Sequence, residues 1–116
     1  MKNETFQFRD KSIDVDNEGF LLDPDDWSDE LASVIAAQSE LELTNEHIEI
    51  VAFIREHFHE TATVPEARKV LKHMKQAWGA ERATRKYLYR LFPHGYGQQA
   101  CKIAGMRKPL KLMLDV

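Results

Sequence analysis

The chain is expected to fold as one mainly α domain, in which a small N-terminal β-hairpin packs on an orthogonal helical bundle that contains a helix-turn-helix-like unit and ends in a flexible C-terminal arm. Three observations carry this expectation. Apolar residues recur at helical spacing from Leu31 onward, period-two alternation is confined to the stretch before Pro24, and turn residues separate the periodic segments. At 116 residues and 43% hydrophobic content, the chain can bury one core without metal or disulfide staples. Residues 1–116 are therefore read as a single domain, with the arm over about 105–116.

Phe6, Phe8, Ile13, Val15 and Phe20 alternate with polar residues between Phe6 and Leu22, and Asn17–Gly19 supplies the hairpin turn. Pro24 precedes a first helix, with Asp26 or Ser28 as N-cap, Leu31, Val34, Ile35 and Leu41 as its buried stripe, and an end near Ser39. Thr44 caps a second helix through NEHIEIVAFIREHFHE, where Glu46 in the first turn meets the positive helix end. Its apolar face is read from Ile48, Val51, Ile54 or Arg55, and Phe58, widened by Ile50 and Phe53, so this helix should be central. Pro65 suits the first turn of a third helix, in which Ala67, Val70, Leu71, Met74 and Trp78 face the core until Gly79 stops it. A fourth runs from about Ala80 to Phe92, buries Tyr87 or Leu88 with Leu91, and ends at Pro93. A short last helix, Gln98 to Ala104, carries Cys101 before Gly105 breaks it. Arg107–Val116 follows without periodicity, a natural mobile arm.

Composition excludes several classes. No apolar stretch is long enough to span a bilayer and MKNETFQFRD lacks the pattern of a signal peptide, so a cytoplasmic protein with no membrane contact is expected. One cysteine permits no internal disulfide, which leaves thiol chemistry to persulfide, sulfenate or mixed-disulfide states. Charge is divided. Residues 1–60 hold sixteen Asp/Glu against four Lys/Arg, and residues 61–116 hold three against twelve, so the halves carry −12 and +9. Such a basic half attracts phosphate backbones or acidic proteins, and the competing reading is neutralisation between the two halves of one fold.

Cys101 is the candidate reactive residue: Lys102, Arg107 and Lys108 lie close in sequence, and a positive field at the start of a short helix lowers a thiol pKa. A cysteine between Ala100 and Ile103 is equally a small packed hydrophobe. His57 and His59 stand two apart on a helix and point to different faces, while His47, His73 and His94 are scattered, so neither a metal nor any cofactor is implied. His94, beside the Pro93–Gly95 turn, is a candidate local base. Arg82, Arg85, Lys86 and Arg90 form a one-sided basic row, with Lys72 and Lys75 on the preceding helix. Two helices joined by a Gly-containing turn make this a candidate DNA surface, or otherwise a solvated helix face.

The stretch KYLYRLFPHGYGQQACKIAGMRKP, Lys86 to Pro109, resembles the C-terminal signature of the DsrC/TusE family of sulfur-relay proteins, whose pattern is roughly YLYxLFPxGPxxQxxxxAGxPKPxxC plus one residue. GFLLDPDDWS, LELTNEHIEIVAFIREHF and the VPEARKVLK region are similar to family segments too, so the resemblance covers nearly the whole chain. It implies a carrier that is a substrate of other enzymes, at most a sulfurtransferase-type activity, with sulfur-relay proteins or dissimilatory sulfite reductase as partners. In the family the penultimate cysteine, on a flexible arm, carries sulfur. Here Leu112 stands in its place, Tyr96 replaces a usual proline, and Arg107 replaces the first proline of PKP. Cys101 matches the accessory cysteine eleven residues upstream, which the sulfite reductase-associated branch carries.

The expectation that follows is a sulfur-trafficking protein that carries or senses sulfur through Cys101 and binds a relay or sulfite-reductase partner. The alternative is a non-catalytic regulator that uses the same fold to bind DNA or a partner protein. Arg82, Arg85, Lys86, Arg90, Lys102, Arg107 and Lys108 are the candidate binding residues in either case.

Overall fold

The computed structural model describes residues 4–109. Strands β1 (Glu4–Phe8) and β2 (Lys11–Val15) pair antiparallel with Phe8 opposite Lys11. The hairpin therefore turns at Arg9–Asp10, not at Asn17–Gly19. The latter stretch makes a second reversal: Asp16 Oδ1 accepts from the N–H groups of Glu18 and Phe20, and Gly19 adopts a φ of +90°. This Asx turn brings Leu21 back against Val15 in an isolated bridge. Ile13, Val15, Phe20 and Leu21 enter the core from this region.

A 3-10 turn at Pro24–Asp26 leads into α1 (Asp29–Gln38), whose first turn is capped by Ser28 Oγ accepting from Leu31 N–H. Leu31, Ala32, Ile35 and Ala36 are buried, whereas Val34, expected in the stripe, is exposed. Helix α2 (Asn45–Thr61) buries His47, Ile50, Val51 and Ile54, spaced i, i+3, i+4 and i+7. Its apolar face thus begins at His47, and Ile48 is 51% exposed. The reason lies in the N-terminal cap. Thr44 N–H donates to His47 Nδ1, which fixes the ring proton on Nε2, and that N–H donates to the Leu91 carbonyl at 2.7 Å.

Helix α3 (Ala67–Trp78) is followed by a 3-10 turn at Ala80–Arg82, and α4 (Arg85–Leu91) starts only where Thr84 Oγ1 accepts from Tyr87 N–H. The fourth helix is consequently shorter than expected. Residues 79–84 separate it from α3, a longer connection than the three or four residues of a DNA-binding helix-turn-helix. A π-helical turn, Tyr96–Ala100, then runs into the single turn α5 (Cys101–Ile103). Together α1, α2 and α5 enclose the core, with Phe20, Ile50, Ile54, Met74, Phe92 and Ile103 without solvent exposure or nearly so.

Gly105 and Met106, at the start of the expected arm, are buried against the domain. The rest of the expected arm, residues 110–116, lies outside the described residues, Leu112 included. Among the described residues no helix is long and apolar enough to cross a membrane. Ion pairs join the acidic and basic halves at Glu46–Arg82 and Glu18–Lys108, and His73 Nε2 hydrogen-bonds Glu49 at 2.6 Å.

Candidate functional site

The signature segment is held by a glycine stop. The N–H groups of Gly105 and Met106 return to the carbonyls of Lys102 and Cys101, at 3.0 and 3.1 Å, the paired bonds of a Schellman motif. Gly105 has a φ of +78°, and a Cβ there would lie 2.5 Å from Trp27 Cδ1. Only glycine fits that approach. Trp27 Nε1–H donates to the Ile103 carbonyl at 2.8 Å, and Arg55 donates to the carbonyls of Ala104 and Pro24 at 2.9 and 3.3 Å. The guanidinium also stacks 4.2 Å from the Trp27 ring. Desolvation lowers the Arg55 pKa, and Asp25 and Asp29 act against it. The Ile103 and Ala104 carbonyls and the Gly105 turn are thus gripped by α2 and the segment before α1.

Cys101 lies at the start of α5 with no solvent exposure. Its backbone N–H is committed to the Tyr96 carbonyl across the π-turn, and the Tyr96 hydroxyl is the polar side-chain group that acts on its thiol. That hydroxyl donates to the Pro65 carbonyl at 2.5 Å. Burial pushes the thiol up to about 12, against a smaller lowering by Tyr96. Burial also raises the Tyr96 phenol.

The expected lowering of the thiol pKa by nearby cations does not occur. Lys102 is turned toward the hairpin, its ammonium 5.5 Å from the Phe20 ring and against Gly19; Lys108 pairs with Glu18, and Arg107 is exposed. With α5 only three residues long, there is no helix field to replace them. His94 is exposed and lines a cleft of about 350 Å³ with Gln38, Ser39, Gln98, Gln99 and Lys102, a cleft whose lining does not include Cys101. The polar group on the thiol is Tyr96. Among the described residues, no three His, Cys, Asp or Glu side chains are placed to hold a metal ion.

The basic row is only partly available. Arg82 pairs with Glu46 at 3.0 Å, and Tyr87 donates to the same carboxylate at 2.6 Å. Arg85, Lys86 and Arg90 are exposed on α4. The structure therefore separates the expected site residues into a buried thiol, cations tied to the hairpin, and an outward face of α4. Sequence reasoning missed the grip of Trp27 and Arg55, for which the only signal was an arginine beside Ile54 in an apolar stripe.

The chain is thus a small helical domain that clamps residues 103–105 and keeps its one thiol buried. The DsrC like protein family model matches residues 7–113, and the chain belongs to this family of sulfur-relay proteins, DsrC/TusE. It is 45% identical over 105 residues to the sulfurtransferase TusE of Yersinia pseudotuberculosis, covering 90% of this chain and 97% of the relative. The fold is similar to DsrC of Allochromatium vinosum, with a TM-score of 0.83 at 40% identity over 94% of this chain and 97% of that one. It is similar also to the oxidized gamma-subunit of the dissimilatory sulfite reductase from Archaeoglobus fulgidus, with a TM-score of 0.83 at 33% identity, covering 90% and 96%.

Proposed function

We propose that this chain docks on a sulfur-relay or sulfite-reductase partner without itself passing sulfur on, and so acts as a regulator. The observation that carries this reading is the zero exposure of Cys101, the chain's single thiol. Sulfur transfer needs a thiolate to attack the outer sulfur of a donor persulfide; the new S–S bond forms as the donor's breaks, and the donor leaves as a thiolate with no net oxidation. A protonated thiol with no path to solvent cannot begin that step, and position 112 carries a leucine. The match to the family over residues 7–113 supports docking on the same kind of partner.

A second reading keeps Cys101 as sulfur carrier or sensor in an opened state, and the π-turn beside it favours this, because such turns recur at functional sites. DNA binding by α4 has less support: the connection before it is long, the helix has about two turns, and one of its expected cations is paired. Intact-mass spectrometry separates the first two readings. After exposure to a small persulfide donor or to a loaded sulfurtransferase, the native chain is expected to gain no mass. An adduct of about +32 Da that disappears in Cys101→Ser overturns the regulator reading in favour of the carrier.

A further inference from the structure

We propose that Tyr96 is a lock on Cys101, the side chain that keeps the retained thiol closed off from solvent. This goes beyond the docking reading, which says only that the thiol is silent. Tyr96 is 4% exposed and stands where the family pattern has a proline, a residue with no hydroxyl to offer. Its ring begins the π-turn that delivers Cys101, and its hydroxyl crosses to the Pro65 carbonyl at the entrance to α3. One side chain therefore ties the thiol-bearing turn to a second element.

The Tyr96 O–H donates to the Pro65 carbonyl at 2.5 Å, and the Cys101 backbone N–H donates to the Tyr96 carbonyl, so both ends of Tyr96 hold the turn. Without the hydroxyl, the Pro65 carbonyl would be left bare at a buried position and the turn that carries Cys101 would lose its tie to the entrance of α3. The turn itself is held from the other side by Gln99, which accepts from His94 N–H and donates to Ser39 Oγ, so release of Tyr96 frees one side of the turn while Gln99 keeps the other.

Thiol labelling by a neutral disulfide reagent, followed across a urea series, tests the lock in the native chain, Tyr96→Phe and Tyr96→Ala, with Cys101→Ser as the blank. The native chain is expected to label only through global unfolding, with a urea slope equal to that of the equilibrium transition. Tyr96→Phe, which loses only the hydroxyl, is expected to label about tenfold faster in the absence of urea, the size of one lost hydrogen bond, and with a shallow urea slope. Tyr96→Ala should be faster still, and the phenylalanine variant alone suffices if the alanine chain does not fold. If the variants keep the steep slope and label faster only in proportion to their lower global stability, Tyr96 is an ordinary core residue and the lock is overturned, with the regulator reading untouched. Shallow, fast labelling of the native chain overturns both.

Discussion

Cys101 could be found in the sequence but not its surroundings. Its neighbours Lys102, Arg107 and Lys108 predicted an electropositive thiol, and the fold sends all three elsewhere, to Phe20, solvent and Glu18. Burial then decides the pKa, because desolvation of a thiolate outweighs cations that are not aimed at it. The folded thiol titrates at about 12 and an unfolded one near 8.5, so the native state holds a proton that the unfolded state has lost between these values. Its contribution to stability is complete below about pH 8.5 and is lost as pH rises toward 12. Urea midpoints of the native chain are expected to fall above pH 9, by as much as about 1.4 kcal/mol per pH unit, and to fall less steeply in Cys101→Ser. Equal slopes in the two chains would show that the thiol is not desolvated. Tyr96 was visible as a departure from the family pattern. That it reaches Pro65, thirty-one positions earlier, was not.

Helices were legible as elements, their phase and ends less so. In α2 the stripe was read to begin at Ile48, and Val51 and Ile54 are buried as expected; the cap bond from Thr44 and the bond to Leu91 draw His47 inward and turn Ile48 to solvent. The start of α4 was set five residues early, because Ala80–Arg82 is helix-like in composition yet the cap is Thr84. The stop at Gly105 was read correctly, but its second function was hidden: Trp27 lies seventy-eight positions away and touches the missing Cβ. Gly105→Ala is expected to destabilise the fold by about 2–5 kcal/mol, combining a strained positive φ with overpacking against the indole. Urea denaturation measures it. A loss below about 1 kcal/mol would mean that the clamp yields easily.

Across the whole molecule, the division into acidic and basic halves becomes contacts between them. Glu46 is the clearest junction, since it receives both Arg82 and Tyr87. Glu46→Gln is expected to lower the urea midpoint at low ionic strength, with a smaller loss at about 1 M salt, where exposed pairs are screened. A loss independent of salt would assign Glu46 a packing role instead. These contacts draw part of the basic charge inward, which weakens a nucleic-acid reading based on net charge alone.

By itself the sequence determined the helical class, the hairpin, the family and the absence of a thiol at position 112, because each rests on local periodicity, turn chemistry or a residue's presence. Only the tertiary structure decided that Cys101 is buried and what holds residues 103–105. Those properties depend on groups far apart in the chain, Tyr96 on Pro65, Trp27 and Arg55 on residues 103–105, whose meeting removes water from a thiol and fixes carbonyls that a local pattern leaves free.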